Sequence, residues 1–217
     1  MCRCYVSPDA ATIEREFELM PTGWKFAANF NTTPAQVIPV IRANRGKSLG
    51  VMMRWGFAAS GSHAPVETLA SGADSRESWK RGRRCIIPAL GFYEWHVNPD
   101  SCEQPYYIHP DDHDVFGFAG LWARVSADAN TVTECCSIIT LPPNRLISEI
   151  QNPGRRMPAM LTPEQRELWL FGAVDSAGTA LAAYPDERLL AYPVSDRINS
   201  PHNDDESLVE PLETDVD

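Results

Sequence analysis

A cysteine follows the initiator methionine, so removal of Met1 would make Cys2 the first residue of the chain. A small residue at position 2 generally permits that removal. The new terminus would carry an α-amine with an ordinary pKa of about 7.7–8.0 beside a thiol of about 8.5, both partly deprotonated near neutral pH. One residue then offers two nucleophiles in a five-membered-ring relationship. Such a pair suits an aldehyde: the amine condenses to a Schiff base and the thiol closes it to a thiazolidine. The second chemical candidate is Glu94, in the run Gly91-Phe92-Tyr93-Glu94-Trp95. Read as a strand, this run turns Phe92 and Glu94 to one face and Tyr93 and Trp95 to the other. Burial among large aromatics would raise the carboxyl pKa and fit it to shuttle a proton during Schiff-base formation.

These groups need a scaffold, and the chain is punctuated by 18 prolines and 13 glycines into short segments without an internal repeat. Strands are expected at Gln36 to Ile41, Ser48 to Trp55, Arg84 to Pro88 and Gly91 to Trp95, where apolar, β-branched and aromatic residues concentrate. The same pattern continues at Tyr106 to His109, Val115 to Trp122, Glu134 to Thr140 and Leu189 to Val194. Short helices are expected at Ala11 to Phe17 and at Pro163 to Phe171, the latter with Thr162 as N-cap and proline in its first position. The sum is an α+β fold: a single compact domain dominated by antiparallel β-strands, spanning residues 1–211.

Composition narrows the setting. A length of 217 residues, 43% hydrophobic and 22% charged, suits one well-buried globular core. No apolar run approaches the roughly 20 residues that span a bilayer, so no membrane partner is expected. The start MCRCYVSPDA lacks the apolar centre of a signal peptide, which makes a cytoplasmic address the expectation. Six cysteines at 2, 4, 85, 102, 135 and 136 are too few for a disulfide framework. Cys85 and Cys135-Cys136 lie in apolar runs where buried, inert thiols are the ordinary outcome. Net charge is −10, but seven acids and no base fall in residues 203–217. That acidic end, with 212–217 beyond the domain, reads as a mobile tail. Basic residues gather instead in Lys80-Arg81-Gly82-Arg83-Arg84 and at Arg155-Arg156, leaving room for a local basic groove.

A longer series of motifs completes the reading: Met1-Cys2, Asn31-Thr32-Thr33-Pro34, Arg54-Trp55-Gly56-Phe57, Val66-Glu67-Thr68-Leu69 and Arg84-Cys85-Ile86-Ile87-Pro88. It continues with Gly91 to Trp95, Phe118-Ala119-Gly120-Leu121-Trp122, Arg156-Met157-Pro158-Ala159 and Asn199-Ser200-Pro201. In this order and spacing the series resembles the SOS response-associated peptidase (SRAP) family of abasic-site processing proteins, from Cys2 to about Pro211. The resemblance implies a compact, mostly β fold with a channel for single-stranded DNA, acting in the DNA damage response; a monomer without metal or cofactor is the expectation. It implies that Cys2 condenses with the ring-opened abasic-site aldehyde and ends as a thiazolidine DNA–protein crosslink, with Glu94 as acid/base. Asn31, Pro34, Trp55, Arg84 and Arg156 are the residues it assigns to DNA contact, and it adds lyase and self-processing peptidase activities.

Two positions depart from the family pattern. Members usually carry a histidine before the Arg-Met-Pro motif, where this chain has Gln151, a residue that hydrogen bonds but cannot titrate. Many also read Asn-Ala-Arg where this chain has His63-Ala64-Pro65. A histidine with its ordinary pKa near 6.5 at position 63 would return a proton-transfer group, whereas Pro65 removes a phosphate contact. The chain is thus expected to be a crosslinking enzyme with Cys2, Glu94, Gln151 and His63 at its centre. The alternative is a degenerate module that binds single-stranded DNA through basic and aromatic residues without completing the chemistry. A metal or redox site built from Cys2, Cys4, Cys135 and Cys136 is a third reading, disfavoured by spacing.

Overall fold

The computed structural model describes residues 3–57, 61–71, 73–99, 102–111, 115–126, 132–151 and 156–212. Chain order runs β1 (Tyr5–Ser7), α1 (Ala10–Glu16), β2 (Asn29–Thr32), β3 (Val37–Asn44), β4 (Lys47–Trp55), β5 (His63–Pro65), α2 (Ala73–Lys80), β6 (Arg84–Ala89) and β7 (Gly91–Val97). It continues with β8 (Glu103–Pro110), β9 (Phe116–Ser126), β10 (Val132–Leu141), α3 (Arg145–Gln151), β11 (Met157–Pro158), β12 (Met160–Leu161), α4 (Pro163–Phe171), α5 (Val174–Gly178) and β13 (Leu189–Pro193). The expected class holds: strands dominate, helices are short, and the pairing is mostly antiparallel.

Two sheets share the work. The first has the order β13-β8-β7-β1-β2, and the second runs β11-β10-β4-β3-β6-β9-β12 with β5 added to β10. Because β9 also pairs with β10, the five strands β10, β4, β3, β6 and β9 close on themselves as a barrel-like sheet. Closure removes the exposed edges those strands would otherwise present. It needs the parallel pairing of β4 to β10 at Cys135↔Arg54, and β5 adds a second parallel pairing to β10 at Ile138↔His63. The closed sheet encloses the main core, with Trp55, Ile86, Phe116 and Phe118 fully buried. Gly91 begins β7 tight against Tyr107, where any Cβ would collide with the phenol ring.

The chain's end is packed, not mobile, through Leu212. Val194, Ile198 and Leu208 bury against Cys4, Val6, Tyr93 and Trp95 on one face of the first sheet. Asp204, an acid of the expected tail, accepts from the Phe30 N–H at 2.6 Å and from Asn29 Nδ2 at 2.9 Å. The Leu212 N–H donates to the Pro193 carbonyl at 2.9 Å. Apolar side chains at 208 and 209 interrupt the acids, and they anchor the segment. Residues 213–217 lie outside the described residues.

Helix α4 forms as its sequence signals demand. Gln165 reaches back to accept from the Thr162 N–H at 2.9 Å, completing the amino end of the helix. Its carboxyl end is held by Arg84, whose guanidinium donates to the carbonyls of Trp169 and Gly172 and lies over the Trp169 ring at 5.8 Å. A cation at the carbonyl-rich end of a helix satisfies both the orphaned acceptors and the helix dipole. Arg84 is buried by this role, which corrects its assignment to DNA contact. Arg84→Leu should lower stability by about 3 kcal/mol, since two helix-end carbonyls lose charged donors. Urea unfolding measures it, and an unchanged midpoint would mean the anchor carries no weight.

Candidate functional site

The register around β1 fixes the site. Tyr5 pairs with Phe92 and Val6 with Gly91, and the Tyr93 N–H donates to the Cys4 carbonyl at 3.3 Å. Followed toward its start, the chain therefore runs antiparallel to β7 past Glu94 and Trp95. Arg3 lies over the Trp95 ring at 4.8 Å and makes two hydrogen bonds of 3.1 Å to Glu103. Cys2 itself lies outside the described residues, as do Met1 and the segment 152–155.

Glu94 is fully buried, with Tyr106 as its cross-strand neighbour. Its nearness is felt by Cys4: burial first, and then the Glu94 carboxylate, push the Cys4 thiol up to about 12. Cys4 is thus held as an unreactive thiol. The Trp95 indole N–H donates to Asn199 Oδ1 at 2.9 Å. A cavity of about 130 Å³ opens here, lined by Arg3, Cys4, Asn31, Trp95, Asn199 and Pro201 among others.

Asn31 is buried, and its amide donates to the carbonyls of Ile198, Ser200 and Asn203 at 3.3, 3.1 and 3.1 Å. Its expected role as a DNA contact gives way to a structural one: it staples the C-terminal segment over the site. Trp55 is corrected similarly. The ring is fully buried, its N–H donates to the Ser62 carbonyl at 3.0 Å, and Tyr5 meets it edge-on at 5.4 Å. No face remains on which a base could stack. Pro34, by contrast, is exposed and shares the rim of a cavity of about 640 Å³ with Arg54, Ser62 and Cys135.

His63 stands on β5 against β10, edge-on to Trp55 at 5.8 Å between ring centres. Its Nδ1 lies 2.9 Å from Ser62 Oγ, and its Nε2 is buried without a hydrogen-bond partner among the described residues. Burial drives its pKa down to about 4, so the ring is neutral at physiological pH. The expected return of a group titrating near neutrality is therefore not met by His63. Arg156 is also engaged: it pairs with Glu67 through two bonds of 3.2 and 2.8 Å and donates to Thr140 O at 2.7 Å and Oγ1 at 3.0 Å. A phosphate would have to compete with Glu67 for it. Gln151 ends α3, and its side chain lies outside the described residues.

Sequence reading missed Arg3, Ser62 and the Asn199 contact to Trp95. Asn199-Ser200-Pro201 was legible as a motif, but nothing in it announced an indole partner more than a hundred positions away. The cysteine cluster does not assemble among the described residues. Cys4 packs with Tyr93 and Trp95, whereas Cys136 belongs to the core of the closed sheet. No described helix is long and apolar enough to cross a membrane.

Comparison with known proteins follows the same lines. The model of the SOS response associated peptidase family matches residues 1–201. The abasic site processing protein YoqW of Bacillus subtilis is 30% identical over 207 residues, covering 89% of this chain and 90% of that protein. The abasic site processing protein HMCES of Xenopus tropicalis is 24% identical over 220 residues, covering 82% of this chain and 64% of its own length. A crystal structure of a protein from Bacteroides thetaiotaomicron shares the fold, with a TM-score of 0.84 at 23% identity over 97% of this chain and all of the other. With a family match along residues 1–201 and a relative at 30% identity aligned over most of both lengths, the chain belongs to the SOS response-associated peptidase family.

Proposed function

We propose that this protein processes abasic sites in single-stranded DNA by covalent capture through Cys2. The observation that carries this reading is the register of β1 on β7, which leads the start of the chain past a fully buried Glu94. Relatives named abasic site processing proteins support the substrate class. With Met1 removed, the Cys2 amine adds to C1′ of the ring-opened deoxyribose aldehyde. The carbinolamine loses its hydroxyl as water to give the Schiff base. The thiol sulfur then adds to the same carbon of the protonated Schiff base, its proton returns to the carboxylate that protonated the hydroxyl, and a thiazolidine results. One water leaves and no electrons are exchanged.

Glu94 gives a proton to the departing hydroxyl and recovers one when the thiol closes the ring. Gln151 holds a sugar hydroxyl or a water by hydrogen bonds. His63, neutral and backed by Ser62, orients the site without acting as an acid. Arg156 grips the strand where phosphate displaces Glu67, and Pro34 borders the path. The reading of a module that binds but does not react stays alive through Gln151 alone, and the first experiment separates the two.

A denaturing gel of the protein with a single-stranded oligonucleotide carrying one abasic site should show a covalent band that Cys2→Ala abolishes. Retained affinity with no band, from protein whose N-terminus is Cys2, would establish the binding module instead. Glu94→Gln should slow capture by about 10²-fold or more, the usual scale of general acid–base catalysis, and a near-normal rate would remove Glu94 from the mechanism. Gln151→His should speed crosslink formation or release, and unchanged rates would refute the assignment of that position. His63 gives a pH test. Its folded pKa of about 4 lies below the ordinary 6.5, so its contribution is whole above about 6.5 and is lost as pH falls toward 4. Between pH 7 and 5 the protein should lose about 2 kcal/mol of stability that His63→Asn does not lose, and equal losses on thermal melting would contradict this.

A further inference from the structure

The sequence places no histidine beside the Arg-Met-Pro motif, yet the fold brings His96 against the end of α3, the helix that precedes it. His96 follows Glu94 by two residues on β7, so the two side chains share a face, with Tyr106 and Gln104 as their cross-strand neighbours. Glu94 is fully buried and His96 half-buried, so the face opens from one toward the other. The His96 ring meets Tyr106 edge-on at 6.4 Å between centres. Its Nδ1 lies 3.1 Å from the Ile150 carbonyl oxygen, in the last turn of α3 and one residue before Gln151.

That contact fixes the chemistry of the ring. A carbonyl oxygen only accepts, so Nδ1 must carry the hydrogen, and in the neutral ring Nε2 keeps the lone pair. The carbonyl belongs to the end of a helix, where acceptors lack intrahelical donors. α3 is seven residues long and would fray at this end without tertiary anchorage. Both strand and helix carry residues of the proposed site, and the His96–Ile150 bond ties them directly.

We propose that His96 is a positioning residue for capture, holding the carboxyl end of α3, and with it residue 151, in register with Glu94. The proposal rests on the covalent-capture reading and deepens it. Gln151 can act only through the hydrogen bonds of its amide. Here a non-titrating glutamine must be presented accurately to be of use, and a misplacement of about 1 Å can lower a rate by some 10². His96 provides the presentation from the strand that also carries Glu94.

The test compares His96→Leu with His96→Asn, whose Nδ2–H replaces the Nδ1 donor but cannot titrate. Capture of the abasic oligonucleotide is measured as a maximal rate and a half-saturating concentration, alongside the melting temperature. The leucine variant should lose tenfold or more in maximal rate with its half-saturating concentration within threefold of normal. Asparagine should restore most of that rate. A leucine variant at the normal rate overturns the proposal. Asparagine as slow as leucine overturns it too, since a group acting through Nε2 would then be required. Should the leucine variant fail to fold, ¹⁵N spectra of the unaltered protein decide: the neutral His96 ring must bear its proton on Nδ1, and a proton on Nε2 overturns the assignment. If the unaltered protein forms no Cys2-dependent band, the capture reading has failed and this proposal falls with it, whereas a normal band with an unaffected leucine variant removes His96 alone.

Discussion

The whole arrangement hangs on a strand of three residues. β1 sits inside the first sheet, between β7 and β2, although Tyr5–Ser7 alone is too short to be stable by its own propensity. What secures it is pairing on both sides and the burial of every one of its side chains. Tyr5 reaches into the main core and meets Trp55 and Phe118 edge-on at 5.4 and 5.6 Å. Aromatic pairs in this geometry add to the burial that already favours them. Because β1 begins only a few residues from the start of the chain, fixing it fixes the direction in which the N-terminus leaves. The proposed capture depends on such a strand holding still.

The second support is the C-terminal segment, which closes over the same strands from the other face. Asn31 spends its amide on three carbonyls of that segment, Asp204 returns bonds to β2, and Trp95 is oriented by Asn199. Each is an individually modest interaction, of the order of 1 kcal/mol for a neutral hydrogen bond, but they share partners and therefore reinforce one another. The acids near the end are not a diffuse negative cloud. Asp204 and Asp205 accept specific bonds, and Asp205 pairs with Arg197 at 2.7 Å. The acidic composition of this region thus has a local structural use, which a count of charges alone does not reveal.

Much of the scaffold was legible because long apolar runs announce strands and α4 carries its cap, proline and apolar stripe in plain view. β3, β4, β6 to β10 and β13 fall where the apolar pattern put them. The elements that escaped are those without room for a pattern. β1, β2, β5, β11 and β12 have two to four residues each, α5 has five, and α2 and α3 lack a strong apolar periodicity. The closing pair β4–β10 is parallel and joins Trp55 to Cys136, a contact that no local window contains. At the site, residue types pointed to chemistry while packing decided their roles. Trp55 and Arg84 have the right types to meet DNA, yet burial and internal partners commit them to the interior. His63 has the right type to titrate, yet its surroundings lower its pKa to about 4.

Loss of titrating groups need not disable capture, because the proton account of the proposed reaction closes on one carboxyl. Attack by the α-amine requires its neutral form, and an ordinary pKa of about 7.7–8.0 supplies that form in useful amount near neutral pH. Dehydration consumes one proton and ring closure by the thiol releases one. A single buried group that gives and then recovers a proton therefore returns to its starting state. Additional acids matter for steps outside that cycle, such as opening the sugar ring or reversing the crosslink. The substitutions at 63, 65 and 151 fall on groups that would serve those outer steps or grip the strand. They leave Cys2 and Glu94, the pair to which the proposed inner cycle is assigned, in place.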